Sequence, residues 1–235
     1  HLLTRIDNNM GAETRIDYAS STEFYLADKL AGTPLVTRLP FPVHVIRRVE
    51  TLDTVSRNRI VTRYSYHHGF FDGLEREFRG FGRVDQLDTE DFTAFQAAGG
   101  PPSENWDVES NVPPVLTKTW FHTGRTVNQP LKDCFDGDDD AVPLGPVLLS
   151  CFHEGDEADE IIVPDPETAR DMAYALGGQV LRTEIHPAES DDTARPYTVT
   201  QQRYLLRQHH PHHKSLLVLE LEALSHQYDG FTNDP

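Results

Sequence analysis

Glycines set between alternating aromatic and charged residues constrain this chain more than any other feature. Ile60, Thr62, Tyr64 and Tyr66 alternate with Arg59, Val61, Arg63 and Ser65. β-Branched and aromatic residues at period two predict a strand. Asp72-Gly73 follows, a dipeptide suited to a tight turn. Glu75, Glu77 and Arg79 then alternate with Leu74, Arg76 and Phe78, which predicts a return strand with salt-bridging potential. Gly80 and Gly82 bracket Phe81. Glycine on both sides suits a bulge or sharp bend in which one large ring turns inward. The expected unit is strand, turn, strand, bend, strand in a curving sheet. Its expected structural anchors are Tyr64, Tyr66, Phe78, Gly80, Phe81 and Gly82.

The flanking sequence extends this pattern. Residues 2–7 and 13–18 read as short strands joined by a turn at Asn8-Asn9-Met10-Gly11. Ser21 or Thr22 can cap a short helix, with Glu23 in its first turn. Pro34, Pro40 and Pro42 keep the next stretch extended. Residues 43–51 alternate a mostly apolar face (Val43, Val45, Arg47, Val49) with a mixed one (His44, Ile46, Arg48, Glu50). After a turn at 54–58, residues 43–88 form one antiparallel meander. Regularity lapses from Thr89 to Pro114, with a helical turn expected at 91–95 and a loop at Gly99-Gly100-Pro101-Pro102. The expected subdomains are 1–112 and 113–235. Further strands are expected at 115–122, 181–186, 196–208 and 214–228, with an irregular acidic segment at 129–159. Asp165 as N-cap, Pro166 at the first helical position, Glu167 in the first turn and Gly177-Gly178 as the stop predict a helix over 166–176. The fold class is therefore mainly β, a curved antiparallel sheet whose only substantial helix lies near 166–176.

Composition narrows the function. The chain has 235 residues and a net charge of −17. Nucleic acids and anionic membranes attract basic surfaces, so neither is an expected partner. It has no run of 18 apolar residues, so no membrane-spanning helix is expected. The opening His1-Leu2-Leu3 carries no signal-peptide pattern and no initiator Met, and is expected to lie within a longer polypeptide. Cys134 and Cys151 are expected to be buried thiols rather than a staple.

Candidate chemistry is sparse. His209, His210, His212 and His213 surround Pro211. Zinc needs convergent, oriented ligands, and this cluster between two strands reads as a solvated hairpin loop. Asp136, Asp138, Asp139 and Asp140 place oxygen donors as calcium loops do, but Pro143 and Gly145 fall where further ligands belong. His67-His68 imitates a catalytic base at the end of a strand, and reads as structural. No nucleophile elbow, phosphate loop or Cys-x-x-Cys motif occurs. No catalytic residue, cofactor or metal is expected.

The string Tyr-x-Tyr-x-x-Gly-x-x-Asp-Gly-x-x-Arg-Glu-Phe-Arg-Gly-Phe-Gly-x-Val, from Tyr64 to Val84, resembles the middle region of the B component of bacterial Tc (toxin complex) insecticidal toxins, in the wider RHS/YD-repeat family. LLTRIDNNMGAETRIDY, TRLPFPVHVI, VLTKTWFHTG, AYALGGQVLRTEI, PYTVTQQRYLLR and LSHQYDG resemble the same region. The resemblance is weak only over 90–112 and 125–160. It implies a non-catalytic section of a hollow β-shell that encapsulates a toxic C-terminal polypeptide. Implied partners are the propeller and RHS repeats of the same polypeptide, the C component and the channel-forming A component, in a secreted toxin. Two other readings stay open. One is a secreted β-sandwich binding module, for carbohydrate or protein, with Trp106 and Trp120 as a platform. The other is a hydrolase using a carboxylate pair.

Overall fold

The structure, a computed structural model, describes residues 1–32, 39–55, 58–90, 114–128, 144–151, 158–188, 196–210 and 213–228. Within these residues the period-two segments become strands: β1 (Arg5–Asp7), β2 (Ala12–Ser20), β3 (His44–Asp53), β4 (Asn58–Asp72), β5 (Glu77–Glu90), β6 (Val115–Phe121), β7 (Leu148–Cys151), β8 (Glu160–Ile162), β9 (Val180–Pro187), β10 (Thr198–His210) and β11 (His213–Gln227). All eleven join one sheet. β1 to β6 pair antiparallel in sequence order. β9 then joins β6, and β10 joins β9. One edge of β10 holds two neighbours. Thr198 to Gln201 pair with β9, and Leu205 to Gln208 pair with β7 in parallel. β8 extends β7, while β11 covers the other edge of β10. The sheet is thus mainly antiparallel, as the alternation predicts.

Among the described residues, two helices pack on it. α2 (Pro166–Leu176) follows the sequence signals closely: the Asp165 carboxylate accepts from Thr168 N–H at 2.8 Å, Pro166 starts the helix, and Gly178 takes φ +85° beyond it. It buries Met172, Ala173 and Leu176. With Leu149, Tyr204 and Leu206, Met172 and Leu176 form the main core. Truncating a sealed Leu such as Leu176 to Ala costs about 2–5 kcal/mol.

The sequence expectations need correction at several points. α1 (Ser21–Ala31) has 11 residues, as many as α2, so the segment near 166–176 is not the only substantial helix. Its cap is Ser20 rather than Ser21 or Thr22, and Gly32 ends it in the left-handed region at φ +77°. The hairpin turn spans residues 73–76 instead of Asp72-Gly73 alone, so the return strand starts at Glu77. Asp72 Oδ1 accepts from Leu74 N–H at 2.9 Å and holds that wider turn. β7 and β8 lie in or beside the stretch expected to be irregular. Cys151 is buried in β7. Pro34, the expected turn at 91–95, Gly99 to Pro102, Trp106, Cys134, Asp136 to Asp140, Pro211 and His212 lie outside the described residues, as do the side chains of His209, His210 and His213.

Candidate functional site: the bent hairpin and its charged rungs

β4 and β5 form the longest described hairpin, and one glycine redirects it. Gly69 pairs with Phe81, and Phe71 pairs with Phe78. Partners across a sheet share a face, so residues two apart on β4 match residues three apart on β5. Gly80 supplies the extra residue at φ +85°, open to glycine and costly to others. Gly82 is buried, without a left-handed φ. The bulge puts Phe78 and Phe81 side by side, with ring centroids 5.5 Å apart. It also sends Arg79 the other way, to lie 3.8 Å above the Tyr174 ring of α2. Tyr66 packs with its ring tilted 4.9 Å from Phe81 and edge-on 5.5 Å from Phe24 of α1. Its hydroxyl donates to Ile46 O at 2.8 Å, and burial pushes its pKa up to about 12. Tyr64 is half-buried, and burial, then Asp88, raises its pKa. Gly69 is a further anchor, one that the alternation pattern does not single out. A Cβ there would stand 3.1 Å from Phe81 Cε1, so glycine makes room for the ring.

Charged rungs cross the same face. Arg83, Trp120, Arg182 and Gln201 lie opposite one another on β5, β6, β9 and β10. The next rung holds Asp85, Lys118, Glu184 and Val199. The groups neutralise each other along each strand. Arg83 Nε donates to Asp85 at 2.8 Å, and Arg182 Nε donates to Glu184 at 2.6 Å. His186 Nε2 meets the other Glu184 oxygen at 2.8 Å. Burial pushes Glu184 up, but His186 and Arg182 outweigh it and hold its pKa below 4.5. Beside Arg83, His67 lies between Asp28 of α1 and Asp85, with Nδ1 2.9 Å from Asp28 and Nε2 3.3 Å from Asp85.

These arrangements restrict the chemistry. Both ring nitrogens of His67 face carboxylates, so neither is turned toward a substrate. His122 accepts from Gly124 N–H at Nδ1, 3.0 Å, and turns Nε2 toward Val127 O at 3.3 Å. Burial lowers its pKa more than the backbone contacts raise it, so it stays neutral. Among the described residues no group of three or more His, Cys, Asp or Glu is arranged for a metal ion. Trp120 is 1% exposed, so it offers no aromatic platform. A cleft of about 240 Å³ lies between α1 and the hairpin, lined in part by Tyr25, Asp28, Phe41, Tyr66, His68 and Phe81.

Comparison with known proteins places these features in a context. Residues 1–124 match the family described as the insecticide toxin TcdB middle/N-terminal region. Residues 171–235 match the one described as the TcdB middle/C-terminal region. The TcdB2-TccC3-Cdc42 crystal structure is 32% identical, with a TM-score of 0.74 over 97% of this chain and 10% of that one. TcdB2-TccC3 without its hypervariable C-terminal region gives 32% identity and a TM-score of 0.75, with the same shares covered. The Photorhabdus luminescens Tc holotoxin pore gives 31% and 0.76, again over 97% and 10%. The chain thus spans about a tenth of the length of the structures it matches. No curated protein sequence matches it.

Proposed function

The chain belongs to the TcdB middle-region family as a segment of a toxin-complex B component, and from that premise we propose that it is a section of shell wall around a toxic C-terminal polypeptide. The observation that carries this reading is the alignment of one continuous sheet, over 97% of the chain, with TcdB2-TccC3. The wall is non-catalytic. His67 and His186 are engaged with Asp28, Asp85 and Glu184, which supports a structural role for them. Arg182 and Glu184 are sealed from solvent and paired along their strand, so these charges serve as internal ties of the wall rather than as a surface for a partner. Tyr64, Tyr66, Phe78, Gly80, Phe81 and Gly82 anchor the curvature, and the halves 1–112 and 113–235 meet where β5 pairs with β6. Its partners are the remaining parts of the same polypeptide, the C component and, through the assembled toxin, the A-component channel. The assembly works as a secreted toxin.

Protease protection tests this. The full-length polypeptide is produced with its C component, and survival of the toxic piece under limited proteolysis is measured. Wild type should protect the piece, and the Gly80→Val/Phe81→Ala pair should expose it. Equal protection in both would sink the wall reading. A hydrolytic activity of this chain, lost in Glu184→Gln while the fold persists, would sink the non-catalytic part.

A further inference from the structure

Helix α1 is held to the sheet in an unusual manner. It buries Ser21 and Asp28, and leaves Leu26 and Leu30 at 54% and 89% exposure. A helix fixed by apolar packing would do the reverse. Its deepest tie to the hairpin is polar. His67 Nδ1 lies 2.9 Å from both oxygens of the Asp28 carboxylate, itself 7% exposed. On the far side of the ring, Nε2 stands 3.3 Å from Asp85 Oδ2. A neutral imidazole has one N–H and one lone pair, so it can donate to one carboxylate and must turn a lone pair toward the other. The imidazolium donates from Nδ1 to Asp28 and carries its charge to within 3.3 Å of Asp85, an ion pair. A ring between two carboxylates therefore selects the charged form.

The surrounding groups leave this logic intact. From β5, Arg83 pairs with Asp85 at 2.8 Å and opposes the imidazolium charge. From β6, Lys118 lies opposite Asp85. On β4 itself the His68 ring is 6.4 Å away. Tyr66 commits its hydroxyl to Ile46 O of β3. Arg83 balances Asp85, and the proton on His67 balances Asp28.

We propose that His67 is a pH-sensitive latch: its imidazolium clamps α1 onto the β4–β5 hairpin, and loss of that proton on the alkaline side releases the helix and widens the cleft between them. The inference stands apart from the wall reading, since it concerns one helix and its tie. Burial pushes the His67 pKa down, but contacts with Asp28 and Asp85 push it further up, to a net value above 6.5. The clamp is therefore complete below pH 6.5 and is lost as pH rises through the elevated value. On the acid side, burial raises Asp85, but His67 and Arg83 hold it below 3.8, so that partner stays charged through mild acid. Asp28 and Tyr66 line the cleft, so movement of α1 opens it directly.

Amide hydrogen exchange on the full-length polypeptide tests the latch, corrected for the intrinsic pH dependence of exchange. Between about pH 6 and about pH 9, protection of residues 21–31 should fall about tenfold or more, while α2 stays level. His67→Gln should leave α1 weakly protected at every pH. Asp85→Asn should move the fall to lower pH. A level α1 profile in wild type, or a wild-type fall retained in His67→Gln, overturns the proposal. If His67→Gln fails to fold, the wild-type contrast between α1 and α2 and the Asp85→Asn shift decide it.

Discussion

At the scale of single residues, Gly80 sets the direction of its neighbours. Its φ of +85° puts Phe78 and Phe81 on one face and Arg79 on the other. A β-branched residue in that region is strained by about 1–3 kcal/mol. Gly80→Val should lower stability by that amount, although a Cβ there meets nothing within 4 Å. The penalty is thus conformational, and Gly80→Asn, which tolerates the left-handed region, should recover much of it. Phe81 is half-buried, so Phe81→Ala should cost about 2 kcal/mol, below the 3–5 of a sealed ring. Denaturant titration of both variants checks the pair. Titratable residues show a second kind of balance. His67 is raised above 6.5, so its contribution fades as pH rises. His122 is lowered by burial, so its contribution is full above 6.5 and fades as pH falls. The two act in adjacent windows, His122 below 6.5 and His67 above it, so together they place a maximum of stability near pH 6.5. Glu184 acts further to the acid side, in the same direction as His122. Held below 4.5 by His186 and Arg182, it stabilises above that value, and its contribution is lost as pH falls through its lowered pKa. Thermal melts from about pH 6 to about pH 3 should show a shallower acid decline in Glu184→Gln than in wild type.

At the scale of elements, the tip of the β4–β5 hairpin is tied to α2 by Arg79. Its guanidinium covers Tyr174 at 3.8 Å and also reaches Asp72 and Glu77 at 3.4 and 3.3 Å. A shielded cation over an aromatic ring contributes about 1–2 kcal/mol. A double-mutant cycle of Arg79→Ala and Tyr174→Ala should return a coupling of that size, and a coupling near zero would mean the tip is held elsewhere. Local signals made some elements legible in the sequence and left others hidden. α2 could be read to the residue because its cap, first-turn proline and stop all lie within the helix or beside it. The full length of α1 could not. Its buried residues are Ser21 and Asp28 and its leucines face outward, so no apolar stripe marks it. β7 has four residues and β8 three, too few for alternation to register. They are strands because β10, far along the chain, gives β7 a parallel partner. The bend was legible as paired glycines, but not which of them takes the left-handed φ. The tie between Asp28 and His67 spans 39 positions and could not be read from either residue alone.

At the scale of the whole molecule, the sheet branches at β10, and among the described residues its terminal strands are β1, β8 and β11, of which β11 is the longest. Among the described residues β11 pairs with β10 alone, so its outer edge carries backbone donors and acceptors without a described partner. Leu216 and Val218 turn toward the core beside α2. Leu217 and Leu221 face outward at 57% and 42% exposure. A long, leucine-rich edge of this kind templates pairing with another strand unless charge or cover blunts it. In a wall section the next part of the shell would supply that cover. Outside its parent, residues 1–235 should therefore self-associate through β11 and elute from a sizing column as a dimer or larger species. Replacing Leu217 and Leu221 with Lys puts two like charges on each approaching edge, and should return a monomer whose circular dichroism matches the starting chain. The acidic net charge of −17 works against association, so self-pairing despite it would mark the edge as strongly adhesive. If the unmodified chain is a monomer at every accessible concentration, β11 is not an open edge, and its continuation must already lie within these residues.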